Sequence, residues 1–100
     1  MNQPAHILLV DDEPGSRNGL SLLLQREGYR VAALDSGEAA LELLNKEQVD
    51  VMITDLFLPG VSGIELLKWV KERSLPCSVI LITGHASAET AVEAMKEGAF

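Results

Sequence analysis

Four residues carry most of the chemistry this chain can offer. Asp11 and Asp12 follow directly on the apolar run HILLV, Asp55 closes the run DVMITD, and Thr83 closes SVILIT. Two unit charges ~4 Å apart repel by on the order of 4 kcal/mol at an effective dielectric near 20. Carboxylates that gather therefore want a compensating cation or a shared proton. Hard oxygen ligands with room for water suit Mg2+, which usually takes one or two carboxylates and keeps several waters. Taken singly each acid is ambiguous, because an Asp after a strand is also a common helix cap and DDEP fits one well. Convergence on one rim would favour the cation, so the elements that deliver these residues matter.

The apolar pattern alternates between two periods. AHILLV (5–10), DVMITD (50–55) and SVILIT (78–83) are continuous apolar runs, expected of parallel strands buried on both faces. RVAAL (30–34) is shorter and less apolar, which predicts an edge strand. Between them lie helical patterns. PGSRNGLSLLLQREG (14–28) places Leu20, Leu23 and Leu24 on one face, with Pro14 suited to the first turn and Gly28 to the stop. Ser36 suits the cap of GEAALELLNKE, whose inward stripe is Ala40, Leu43 and Leu44. IELLKWVKERS (64–74) turns Ile64, Leu67 and Val70 inward, and SAETAVEAMKEG (87–98) predicts a last helix. The loop LFLPGVSG (56–63) holds a Pro-Gly pair suited to a type II turn.

This is βα four times over, which predicts an open α/β parallel sheet with helices on both faces; the expected form is the doubly wound, flavodoxin-like one, with strand order 2-1-3-4. Ligands in such sheets bind at the carboxyl ends of the strands, beside the point where the winding reverses. In that order the reversal falls between the first and third strands, where Asp11, Asp12 and Asp55 sit, with Thr83 beside them.

Composition narrows the function classes. The chain has 100 residues, 47% hydrophobic and 23% charged, with a formal net charge of −7. It reads as one globular domain spanning 1–100. The acidic balance disfavours direct contact with nucleic acid or an anionic membrane. A single cysteine, Cys77, excludes an internal disulfide framework and reads as an ordinary part-buried thiol in a reducing compartment. MNQPAH has no signal-peptide pattern, and no apolar run approaches the ~20 residues of a membrane span, so a cytoplasmic location is expected. No dinucleotide loop, Gly-Lys-Ser/Thr phosphate loop or Gly-x-Ser-x-Gly nucleophile elbow is present.

LLVDDE, DLFLPGVSG with Pro59 and Gly63 four and eight residues beyond Asp55, ILITGHA and AMKEGAF together resemble the receiver domain of bacterial two-component response regulators. The tone is similar to receivers fused to enhancer-binding ATPases. The resemblance covers the whole chain and implies a phosphoacceptor switch rather than an enzyme. Asp55 would take a phosphoryl group from a phosphohistidine on a sensor histidine kinase. Asp12, Asp55 and the Phe57 backbone carbonyl would hold Mg2+, with Asp11 acting through water. Thr83 would turn inward to the phosphoryl group, Gly84 would leave it room, and Phe57 and His85 would tune its lifetime. A downstream effector domain is implied in the longer protein.

Other residues have plainer readings. Glu13 reads as an exposed first-turn acid, with outer charge for the site as the alternative. Arg17, about a turn from Asp12, could neutralise part of the acidic charge. Trp69 reads as a half-buried packing residue, and His6 starts its strand.

The resemblance is incomplete in one respect. Receivers usually continue past EGAF into a fifth strand, a lysine at its end and a fifth helix, so the domain reads as C-terminally incomplete. Lys46, Lys68, Lys71 and Lys96 all fall on helical patterns and none replaces that lysine. SVILIT has apolar side chains on both faces, which predicts a surface in need of cover by self-association, such as a homodimer, or by a partner. The missing lysine keeps open a pseudo-receiver, an interaction module that is not phosphorylated. A Mg2+-dependent phosphatase is a third reading, weakened by the lack of an Asp-x-Asp pair around Asp55.

Overall fold

The apolar run at the start of the chain becomes the centre of a sheet. In the computed structural model, which describes residues 4–82, β1 (His6–Val10) is buried at all five positions. The chain then runs through α1 (Pro14–Arg26), β2 (Arg30–Leu34), α2 (Gly37–Lys46), β3 (Val51–Asp55), α3 (Gly63–Glu72) and β4 (Ser78–Ile82). All pairings are parallel, as the βα alternation predicts, and the strand order is β2-β1-β3-β4, the order expected of the flavodoxin-like form. The weakly apolar β2 takes an edge.

Alternation along the strands separates two cores. Leu8, Val10, Met52 and Val79 point to one face, where Ala40 and Leu44 of α2 and Leu66, Leu67 and Val70 of α3 cover them. Ile7, Leu9 and Ile53 point to the other, against Leu20 and Leu24 of α1, and Ile82 joins them there. Ile80 on that face is 38% exposed.

Leu23 corrects the stripe expected on α1: it is 59% exposed, not inward. The small Ser21 is buried instead, its hydroxyl accepting from the Gln25 amide one turn on. The buried face therefore runs through Leu20, Leu24 and Ser21, and helical geometry turns Leu23 past its flank.

Local chemistry sets the boundaries. Pro14 sits in the first turn of α1, and the helix ends in a Schellman motif. Gly28 there has φ +93°, its N–H bonds Gln25 O, and Tyr29 N–H bonds Leu24 O. Ser36 and Ser62 cap α2 and α3 through Ala39 N–H and Glu65 N–H, so α3 begins one residue before the apolar stripe alone predicts. It ends at Glu72 because Ser74 adopts φ 51° and closes a second Schellman pattern, with Leu75 N–H on Val70 O. Gly60 has φ +76°, as the second corner of a type II Pro-Gly turn requires. Among the described residues no helix is long and apolar enough to cross a membrane. Thr83, Gly84, His85 and the helix expected over 87–98 lie outside the described residues.

Candidate functional site

The first acid is placed by the end of β1. Asp11 N–H still pairs with Leu34 O of β2 at 3.1 Å, but the strand stops there and the chain must turn. Asp11 makes that turn itself: Oδ1 accepts from Glu13 N–H at 3.0 Å. Glu13 then caps α1, its carboxylate accepting from the N–H groups of Gly15 and Ser16. These bonds hold the Glu13 carboxyl below the usual carboxylate range, Ser16 contributing most and Gly15 next. The capping role therefore belongs to Glu13, and neither aspartate is taken up by it. Asp11 is 4% exposed, whereas Asp12 faces solvent, and among the described residues no donor bonds the Asp12 carboxylate.

Asp55 arrives from β3, next to β1 in the sheet. Its main chain is held tightly: the hydroxyl of the buried Thr54 donates to Asp55 O at 3.0 Å, and Leu56 N–H pairs with Ile82 O. Gly63 packs directly on the Asp55 carbonyl, where a Cβ would collide with that oxygen and come within 3.0 Å of Leu56 Cα. Phe57 N–H donates to Asp55 Oδ1 at 3.1 Å, so the loop folds back over one carboxylate oxygen. Among the described residues no hydrogen bond reaches Oδ2. The rest of the loop is strapped to α2, because Glu38 Oε1 accepts from Val61 N–H at 2.7 Å and lies against Gly60.

These placements bring Asp11, Asp12 and Asp55 together at the carboxyl ends of β1 and β3. One carboxylate oxygen from each lies within 4.8 Å of the other two. Burial pushes the Asp55 carboxyl above its ordinary range, opposed by the Phe57 N–H bond, and the charges of Asp11 and Asp12 push it further up. An all-oxygen set in which the Asp12 carboxylate and Asp55 Oδ2 are uncommitted, with an open side, fits a hard divalent cation. Phe57 follows on the same turn and is half exposed. Thr83 lies outside the described residues; Ile82 before it is the register partner of Asp55.

Other candidates are occupied elsewhere. Arg17 donates from a guanidinium N–H to the Asp11 backbone carbonyl at 3.0 Å, not to a carboxylate. His6, at the opposite end of the sheet, has Nδ1 3.0 Å from Gln48 O and its N–H on Asp50 Oδ2, beside a polar cavity of about 280 Å³. Cys77 is buried, and burial pushes its thiol up, which makes it inert rather than nucleophilic. Trp69 is half-buried against the core with the Arg73 guanidinium 4.0 Å from its ring centroid.

A doubly wound sheet with an acidic cluster at its switch point defines the class of protein. The family model for the response regulator receiver domain matches residues 7–100, and the chain belongs to that family. The chain is 40% identical over 99 residues to the transcriptional regulatory protein GlrR of Escherichia coli, covering 99% of this chain and 22% of that one. It thus spans about a fifth of the length of that relative. Among solved structures it resembles the signal receiver domain of the response regulator NarL from Mycobacterium tuberculosis, with a TM-score of 0.88 at 31% identity, covering 98% of this chain and 81% of that one. It also resembles a response regulator from Burkholderia pseudomallei solved with a phosphorylated aspartic acid, a calcium ion and citrate. There the TM-score is 0.87 at 32% identity, covering 95% of this chain and 56% of that one.

Proposed function

We propose that residues 1–100 form the receiver part of a longer cytoplasmic regulator, in which Asp55 accepts a phosphoryl group from the phosphohistidine of a sensor kinase. The observation that carries this reading is the gathering of Asp11, Asp12 and Asp55 within 4.8 Å, with Asp55 Oδ2 uncommitted. The Burkholderia relative, with its phosphorylated aspartic acid and divalent ion, supports it.

In this reaction Asp55 Oδ2 attacks phosphorus, an O–P bond forms, and the N–P bond to the donor imidazole breaks. The electron pair leaves on that nitrogen, which takes a proton from solvent. Asp55 must be ionised to attack, and its elevated pKa makes it more basic than an ordinary aspartate. Phe57 N–H fixes the other oxygen, so the nucleophile is presented in one orientation. Asp12 and Asp55, with the Phe57 carbonyl, would hold Mg2+, and the enclosed Asp11 would act through a bound water. When bound, Mg2+ supplies the positive charge that lets an anionic phosphoryl group approach anionic Asp55. Thr83, directly after the residue paired with Asp55, would take a phosphoryl oxygen on its hydroxyl and carry the change to an effector domain.

Acetyl phosphate and Mg2+ test the reading by intact-mass spectrometry. The wild-type chain is expected to gain one hydroxylamine-labile phosphoryl group, and Asp55→Asn none. A folded, Mg2+-binding wild type that gains nothing would overturn the acceptor role and leave an interaction module. Equal labelling of Asp55→Asn would place the phosphate elsewhere.

A further inference from the structure

Arg17 is oddly placed for a helix. It lies in the opening turns of α1, where the helix dipole disfavours a cation, and the capping Glu13 carboxylate offsets part of that cost. A half-buried guanidinium there needs a compensating partner, and the partner is specific. Its N–H donates to the Asp11 backbone carbonyl at 3.0 Å.

That carbonyl would otherwise lose its partner. β1 ends at Val10, and although Asp11 N–H still pairs with Leu34 O, the turn carries the Asp11 carbonyl away from the strand ladder. The same carbonyl belongs to the peptide unit joining Asp11 to Asp12. Its plane sets the direction in which the Asp12 side chain leaves the backbone. Asp11 is fixed by its own Oδ1 bond to Glu13 N–H, and Glu13 by its cap, whereas the Asp12 carboxylate has no bonded donor among the described residues. The Asp11 side chain already ties that peptide to Glu13 N–H, and the Arg17 bond adds a restraint from α1 on its carbonyl, so the peptide that aims Asp12 at Asp55 is held from both sides.

We infer that Arg17 is a positioning residue for the cation site: it fixes the Asp11–Asp12 peptide so that the Asp12 carboxylate is preset to bind a divalent ion. The inference rests on the cation-binding reading of Asp11, Asp12 and Asp55. It has an unusual sign. Removing a nearby positive charge should by itself tighten cation binding, whereas removing a positioning contact should weaken it. Outer contacts that orient a ligand are typically worth about 10-fold or more in metal affinity.

Titration calorimetry with Mg2+ on the wild type and on Arg17→Met decides between these. Methionine keeps the length and the helix propensity but has neither charge nor donor. The expected result is binding weaker by about 10-fold in a variant that remains folded by circular dichroism. Equal or tighter binding would overturn the inference, because a residue serving only α1 stability would leave the affinity of folded protein unchanged or raised. Should Arg17→Met fail to fold, Arg17→Ala, which also lacks charge and donor and has the highest helix propensity, poses the same question with the same two outcomes. A wild type that binds no Mg2+ removes the cation-site reading and this inference with it; a wild type that binds while the variant is unaffected removes this inference alone.

Discussion

Three carboxylates held within 4.8 Å should make the cation-free protein less stable than its packing allows, and Asp55→Asn measures by how much. At that separation a pair of unit charges repels by about 0.9 kcal/mol in bulk water and about 3.5 kcal/mol at an effective dielectric of 20. Asp55 is only partly buried, so the value lies toward the aqueous end, about 1 kcal/mol for each of its two neighbours. Asparagine removes both repulsions and keeps an oxygen to accept from Phe57 N–H. In chelator, Asp55→Asn should therefore be about 1–2 kcal/mol more stable than wild type, or roughly 4–16 °C in Tm for a domain of this size. Mg2+ should shrink the difference. At ten times its Kd the ion stabilises the wild type by about 1.4 kcal/mol, and the variant, with one ligand gone, by less. Paired urea unfolding curves with and without Mg2+ read both effects. A variant less stable than wild type in chelator would refute the repulsion. Identical Mg2+ stabilisation of the two proteins would refute Asp55 as a ligand.

The same repulsion has a pH signature. Burial, with the charges of Asp11 and Asp12, raises the Asp55 pKa above its unfolded value, so the folded state binds the extra proton and stability falls as pH rises from the ordinary carboxylate range, about 4, through the raised value. In chelator, the stability advantage of Asp55→Asn should therefore grow with pH across that window; an advantage constant in pH would refute the shift. Gly63→Ala should cost about 1–3 kcal/mol, because its Cβ meets the Asp55 carbonyl and Leu56 Cα, backbone that cannot yield cheaply. Molecules of that variant that remain folded should label more slowly with acetyl phosphate, and unchanged stability and labelling would show that the close approach has no consequence.

What was legible in the sequence was whatever local chemistry determines. Continuous apolar runs at β1 and β3 announced strands buried on both faces, and the poorer RVAAL announced an edge. Gly28 and Ser36 marked helix ends through conformational and capping preferences that act over a few residues. The bringing together of Asp11, Asp12 and Asp55 followed from strand order and needed no side-chain detail. Leu23 was not legible, because three consecutive leucines do not say which flank of α1 faces the sheet; Leu24 packs there with Leu20, and Leu22 and Leu23 stay exposed. Nor was the capping role of Glu13, since glutamate is an uncommon cap and its turn depends on Asp11. The Glu38 strap on Val61 joins residues 23 apart, beyond any local signal.

The division of labour within the acid loop explains how one short segment can fold stably and still offer a reactive site. Asp11 commits an oxygen to Glu13 N–H, Glu13 commits its carboxylate to the open end of α1, and Arg17 gives a donor to the Asp11 carbonyl. Each bond satisfies a polar group that the end of β1 would leave unpaired, so the loop is rigid without using the Asp12 carboxylate. Asp55 is treated alike: backbone and Thr54 hold its carbonyl, Phe57 holds one oxygen, and one oxygen stays uncommitted. The repulsion among the three acids is then concentrated on the two groups with freedom to take a ligand. Asp55 and Ile82 share a register position and Leu56 N–H holds Ile82 O, so the acid that keeps a free oxygen is tied through the backbone to the end of β4.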